Sequence, residues 1–277
     1  MLAAALISSC CALASAAPAP SGAEAHAFAV TLARGGARPA GSVGERRAHQ
    51  RLAARFRAAG LRVGFERFRV PGRGASRDVI GIRDAPGRCL VVAMAHVDSV
   101  PPGPGADDNA SGVGALAALA GPLADGPAPA CDVWLVGTGA EERPYTRQPE
   151  HLGASALVRR LRRTGRLHDV RLALSLDEVG RGRRFELRST APRARRGVEG
   201  RILKAAREVS VAVRWVRDTG TGNSDHRELA LAGAPAAKLG VPDEPCRHTM
   251  CDTPDRLERG AFARILSVAW PLLATWR

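Results

Sequence analysis

The sequence is short of what several function classes require. Aromatic side chains make up 4% of it, with a single tyrosine, too few to interleave with basic groups as base-stacking platforms. Beyond the first twenty residues no apolar run reaches the roughly 18 residues of a membrane span. No Gly-x-Ser-x-Gly elbow occurs, so the commonest serine-hydrolase signature is missing. Lysine is nearly absent: the 41 basic residues include only Lys204 and Lys238. Arginine, alanine, glycine and proline are all abundant, as a GC-rich gene would give. The net charge of +14 is therefore read as arginine spread over a surface, not as a nucleic-acid footprint. The densest run, Arg159-Arg160-Leu161-Arg162-Arg163, continues a helical stretch and reads as a solvated face.

What is present begins with an apolar, small-residue start. Residues 1–20 read as a secretory leader with an Ala-x-Ala-like end near Ala16 or Ala17, although no Lys or Arg precedes Arg34. Ile7-Ser8-Ser9-Cys10 resembles a lipobox, which would instead make Cys10 a lipid anchor. The expected location is secreted or periplasmic, with attachment to the envelope as the alternative. Four cysteines lie beyond the leader, Cys89, Cys131, Cys246 and Cys251. Export makes disulfides reasonable, and four cysteines allow three pairings.

The chain of 277 residues, 45% hydrophobic, suits one large domain, taken as 24–277. Ser42-Val43-Gly44-Glu45 has capping-box spacing and opens a helix through Leu52, Phe56 and Ala59, with Gly60 as its stop. Residues 61–70 alternate as a strand with Leu61, Val63, Phe65 and Phe68 inward. The runs Leu90–Ala95, Val133–Val136, Leu172–Leu176 and, more weakly, 235–240 lack alternation and suit strands buried on both faces. Helices are predicted at about 110–121, 153–163 and 198–209, and over the last twenty residues with a break at Pro271. Strands alternating with helices predict a three-layer αβα sandwich with a central sheet flanked by helices.

Polar residues follow the buried runs. His96-Val97-Asp98, Gly139-Ala140-Glu141-Glu142 and Leu176-Asp177-Glu178-Val179-Gly180 bring His96, Glu141 and Asp177 soon after one, at the strand ends where open α/β sheets bind ligands. Taken singly, these are polar turns. Adjacent carboxylates at the end of a core strand are nevertheless costly unless a cation is near. The string Gly103-Pro104-Gly105-Ala106-Asp107-Asp108-Asn109-Ala110-Ser111-Gly112 exceeds what a helix cap needs. His248 lies inside Cys246-Arg247-His248-Thr249-Met250-Cys251. Mixed imidazole and carboxylate donors favour zinc over magnesium or calcium. Five protein ligands are too many for one tetrahedral ion with an open position, and suit two ions sharing one carboxylate.

In this order, AHVDSV, GPGADDNASG, GAEE, LDEVG, SDH and CRHTMCDT resemble the zinc-dependent exopeptidases of the aminopeptidase Y type, most of all the secreted bacterial dinuclear zinc aminopeptidases. The likeness runs from about residue 42 to the C-terminus. It implies a mixed central sheet and two Zn2+ ions, one held by His96 and Asp177, the other by Glu142 and His248, with Asp108 bridging them. It also implies Glu141 as general base and Asp98 as the group that orients His96. The partner it implies is a peptide with a free N-terminus, acted on by a monomer without nucleic acid. The family often has tyrosine where this chain has Arg247, which either stabilises an oxyanion or faces solvent. Asp225, in Ser224-Asp225-His226, resembles a motif on the substrate side of the cleft. The resemblance supports a Cys246–Cys251 disulfide around His248. Cys89 and Cys131 each begin a core strand and would meet if those strands are neighbours. His26, His49 and His168 read as surface groups and His151 as structural. Two competing readings remain: a glutaminyl cyclase-like zinc acyltransferase, which would not need both metal pairs, and a binding domain without metals, which would not need every ligand.

Overall fold

A computed structural model describes residues 19–142, 150–218 and 223–276. Cys10 and nearly all of the leader lie outside these. Eight strands form one sheet: β1 (Arg62–Val70), β2 (Gly74–Arg83), β3 (Leu90–His96), β4 (Asp132–Thr138), β5 (Val170–Leu176), β6 (Arg184–Ser189), β7 (Ala212–Arg217) and β8 (Ala236–Gly240), in the order β1-β2-β4-β3-β5-β8-β6-β7. The run β4-β3-β5-β8 is parallel, while β1, β2 and the β6/β8 pairing add antiparallel edges. The sheet is therefore mixed, as the resemblance implies.

The continuous apolar runs are the central strands because both of their faces are covered. Val91, Ala93 and Ala95 of β3 pack with Val133, Leu135, Leu172 and Leu174 under the helices α1 (Gly22–Ala33), α2 (Val43–Ala58), α3 (Gly112–Asp125), α5 (Glu199–Glu208) and α7 (Arg259–Thr275). The alternate residues Val92 and Met94 pack with Trp134 and Val136 under α4 (Leu152–Arg163) and α6 (His226–Leu231). Period-two alternation thus divides the core into two layers, each closed by helices.

Several expectations need correction. Helix α7 runs through Pro271, since Ile265, Val268, Ala269, Leu272 and Leu273 are all buried on either side of it. Packing outweighs the single hydrogen bond that proline removes. Phe65 is 36% exposed, while Phe68 is buried. β1 is an edge strand, and Phe65 lies beneath the guanidinium groups of Arg57 and Arg77 at 5.7 and 6.0 Å. His49, read as a surface group, is 1% exposed. His168 is exposed and His26 partly buried, edge-on against Phe262. Helix α1 and strands β2, β6 and β7 were not anticipated. Charged residues interrupt both β6 (Arg184, Glu186, Arg188) and β7 (Arg214, Arg217) and mask their apolar content.

Both disulfides are formed. Leu90 pairs with Asp132 in the parallel β3/β4 register, which puts Cys89 beside Cys131 with a Cα separation of 4.7 Å. Among the described residues no helix is long and apolar enough to cross a membrane.

Candidate metal centre

From β3 the chain passes through α3 to β4 on one side, then through α4 to β5 on the other. The order reverses at β3, and the carboxyl ends of β3, β4 and β5 open there. His96 ends β3, Glu141 and Glu142 follow β4, and Asp177 follows β5. Asp108 arrives from the kinked helical turn Ala106–Ser111 that leads into α3, where it and Asn109 leave helical geometry. His248 arrives on the loop after β8. All six line one cavity of about 230 Å³.

Asp108 sits between the two imidazoles. Its Oδ1 is 3.2 Å from His96 Nε2 and its Oδ2 3.2 Å from His248 Nε2. His96 Nε2 is also 3.5 Å from Asp177 Oδ1, and His248 Nε2 is 3.1 Å from Glu142 Oε2. Two sets offer ligand atoms within 4.8 Å of one another, His96 with Asp108 and Glu142, and His96 with Glu141 and Asp177. Glu142 Oε1 and Asp177 Oδ1 are buried and accept no hydrogen bond. A buried, charged oxygen without a donor is expensive, and a cation in the cavity would satisfy both.

The electrostatics point the same way. Hydrogen bonds to Asp108 and Glu142 push the His248 imidazole up to about 10. Burial works against a charged His96, but the Glu141 charge and the Asp108 and Asp177 carboxylates beside it outweigh burial and hold it well above the ordinary imidazole range. Burial lifts Glu142 well above the usual carboxylate range, helped by the Asp108 charge. A field that favours imidazolium here equally favours a divalent cation.

The residues around this ring hold its backbone. Asp98 is fully buried. Its carboxylate lies 3.8 Å from His96 Nδ1, which is nearer the Asp98 carbonyl at 3.2 Å. Its two oxygens accept the N–H groups of Glu141 and Glu142 at 3.0 and 3.1 Å. Asp252 does the same for the amides of Asp107 and Asp108, at 2.7 and 3.0 Å. Asp107 itself turns away from the cavity and accepts from Gly180 N–H. The buried guanidinium of Arg38 donates to the carbonyls of Val97, Pro104 and Gly105 at 2.8, 2.6 and 2.9 Å, tying the Asp108 turn to the end of β3.

The Arg247 side chain is 40% exposed but anchored on the buried carboxylate of Glu178. It forms a two-point pair with Glu178, Nε to Oε1 at 2.5 Å and the second nitrogen to Oε2, on the cavity wall. Asp225 is fully buried and accepts from the Thr138 hydroxyl, and it is Asn223, directly before that motif, that lines the cavity. His151 is not merely structural: its Nε2 is 3.2 Å from Glu141 Oε1. Burial opposes its charge, but Glu141 and Glu228 outweigh burial and push it up to about 10. Lys238, 4% exposed, lies 2.9 Å from Asp177 Oδ2 and 3.3 Å from Glu178 Oε2. One signal for Lys238 was legible, since a lysine inside a buried apolar run needs a partner. His151 and Asp252 carry no such mark.

Residues 79–273 match peptidase family M28, and no curated protein matches the sequence. Solved structures with the same fold include a zinc aminopeptidase from Bacillus subtilis, 17% identical with a TM-score of 0.81, covering 92% of this chain and 94% of that one. A leucine aminopeptidase precursor from Bacteroides thetaiotaomicron is 19% identical with a TM-score of 0.82, covering 94% and 98%. A glutaminyl cyclase from the same organism is 19% identical with a TM-score of 0.80, covering 94% and 99%. The chain belongs to peptidase family M28, a family of metallopeptidases.

Proposed function

We propose that this member of peptidase family M28 is a dinuclear zinc aminopeptidase that removes N-terminal residues from peptides. The observation that carries the reading is Asp108, with one oxygen toward His96 and the other toward His248. That is the arrangement a carboxylate shared by two cations needs. His96 and Asp177 would hold one ion and Glu142 and His248 the other, through nitrogen and oxygen donors that suit zinc. Bound there, the ions would supply a water of lowered pKa and polarise the scissile carbonyl.

The protein's own groups do the rest. Glu141 takes the proton of the attacking water and passes it to the leaving amine. His151, 3.2 Å away, holds the Glu141 carboxylate in place. Asp98 fixes the amides of Glu141 and Glu142. Lys238 occupies Asp177 Oδ2 and leaves Oδ1 as the oxygen open to a ligand. The cavity of about 230 Å³ is small beside the roughly 300–1,000 Å³ of drug-sized pockets, which suits one residue of a substrate better than an extended chain. Its wall carries Glu141 and Glu150, groups that attract a free ammonium.

Two disulfides support folding in an oxidising compartment, in keeping with a cleaved leader over 1–20 and a domain over 24–277. The fold alone does not separate an aminopeptidase from a glutaminyl cyclase. The second ligand pair supports the aminopeptidase reading, because a one-zinc transferase would not need it. The test assays purified protein on a panel of aminoacyl anilides and on glutaminyl peptides, before and after a chelator, with metal content measured. About two zinc ions per chain and chelator-sensitive anilide cleavage are expected. Zinc near zero, or cyclisation of glutaminyl peptides without cleavage, would refute the reading.

A further inference from the structure

Glu45 has the position of a capping-box glutamate, and Ser42 does accept the Glu45 N–H at 3.1 Å. The Glu45 side chain, however, is fully buried and turned inward. Its Oε2 accepts Gly41 N–H at 2.7 Å, while Oε1 accepts the Ser76 hydroxyl at 2.6 Å and Ala140 N–H at 3.1 Å. Ala140 directly precedes Glu141.

The same holds along the whole segment that delivers Glu141. Gly139 N–H donates to Asp78 at 3.2 Å, Ala140 N–H to Glu45, and Glu141 and Glu142 N–H to Asp98. Four consecutive amides, in neither helix nor strand, are thus held by three buried carboxylates from α2, β2 and the end of β3. On the other edge the carbonyls of Gly139, Ala140 and Glu141 accept N–H groups of Gly153, Leu152 and His151 at 2.9, 3.0 and 3.0 Å. The segment is clamped along both edges without belonging to the sheet. It also contains a non-glycine residue in the left-handed region, Ala140 with φ of 50°, a conformation that needs outside support. There is no slack: a Cβ on Gly139 would come within 2.2 Å of Ser76 Oγ and 2.9 Å of Glu45 Oε1.

We propose that Glu45 is a positioning residue for Glu141: by fixing the Ala140 amide, it sets where the Glu141 carboxylate stands. The inference rests on the reading of Glu141 as the general base. A cap or a filler of space would affect stability alone. A positioning residue affects the chemical step, because a displacement of about 1 Å in a reacting group costs about 10²-fold in rate.

The test compares Glu45→Ala, Glu45→Gln and Asp78→Asn with the metal-loaded wild type on an aminoacyl anilide, and follows deuterium uptake by the 139–142 amides. Glu45→Ala is expected to lower kcat about 10- to 100-fold, with KM within about two-fold, both metals retained and faster exchange at Ala140 and Glu141. Glu45→Gln, which keeps an acceptor for the Ala140 amide, is expected to recover part of the loss. Unchanged kcat per folded molecule, or unchanged exchange, in Glu45→Ala overturns the inference. If Glu45→Ala does not fold, Glu45→Gln and Asp78→Asn decide by the same readouts. The two readings fail separately. Full activity in Glu141→Gln removes the base assignment, whereas an inactive Glu141→Gln beside a fully active Glu45→Ala removes only the positioning role.

Discussion

The two sides of the cavity are built differently. His96, Glu141, Glu142 and Asp177 stand at the ends of three adjacent parallel strands, and the His96 side chain is 2% exposed. His248 rides on the loop after β8, with its side chain 35% exposed and its backbone in the left-handed region at φ of 58°. The strand side inherits its geometry from sheet register, supported by Asp98, Asp78, Glu45 and Arg38 behind it. The loop side depends on local ties: the Cys246–Cys251 disulfide, the Thr249 hydroxyl on the Cys246 carbonyl at 2.8 Å, and the pairing of Arg247 with Glu178. The contrast teaches that the groups on the strand side are preorganised by the core of the protein and His248 by a small staple, so the two sides are expected to respond differently to perturbation.

The largest expected effect lies on the strand side. Glu141→Gln should lower kcat by about 10²- to 10⁴-fold with metal content unchanged, as read by anilide kinetics beside metal analysis. Loss of metal in this variant would make Glu141 a ligand and redraw the boundary between the two sides.

Next come the two imidazoles. His96→Ala removes a group facing both Asp108 and Asp177, so it should abolish binding of at least one ion and lower the melting temperature. His248→Ala should weaken binding of one ion and leave the melting temperature of the metal-free protein within a few degrees. Graded chelator titration with calorimetry checks both. Equal losses in the two variants would break the contrast.

The disulfides offer a smaller and cleaner test. Replacing Cys246 and Cys251 with alanine should weaken affinity for one ion about 10- to 100-fold, in the range seen when support behind a metal ligand is lost. Replacing Cys89 and Cys131 should leave metal affinity unchanged and lower stability by about 2–4 kcal/mol, measured by urea denaturation.

The last effect appears only in acid and leaves the protein at neutral pH unchanged. Burial, reinforced by the Arg77 charge, pushes His49 down to about 3. The unfolded chain takes up this proton near pH 6.5, whereas the folded protein refuses it until about pH 3. His49 therefore contributes stability that is fully present above about pH 6.5 and is lost progressively as pH falls toward 3, at no more than about 1.4 kcal/mol per pH unit. His49→Met should flatten the urea midpoint over that interval, and an unchanged slope would assign the acid sensitivity to other groups.

Much of the strand side was legible before the fold was known. Leu90–Ala95, Val133–Val136 and Leu172–Leu176 are apolar without alternation, short, and set between turn residues, a pattern that suits a strand covered on both faces. The polar residues that follow them could then be placed at one sheet edge. The edge strands were less legible. Charged residues interrupt β6 (Arg184, Glu186, Arg188) and β7 (Arg214, Arg217), and β2 carries Asp78 in its interior, so none of the three has a continuous apolar signal. Glu45, His151 and Asp252 were misread or passed over for a common reason. Each acts through a partner remote in sequence, and a lone polar residue carries no mark of the partner it will meet; His49 was misread because its burial is set by the packing of α2.

Sequence alone determined the class of chemistry, because imidazoles and paired carboxylates at strand ends restrict what can be bound whatever the loops do. Only the tertiary structure decided which oxygen faces which nitrogen, which carboxylate grips a backbone amide, and that Arg247 turns to Glu178. Those outcomes depend on distances of about 3 Å between groups far apart along the chain, and burial then makes each such pairing, or its absence, count.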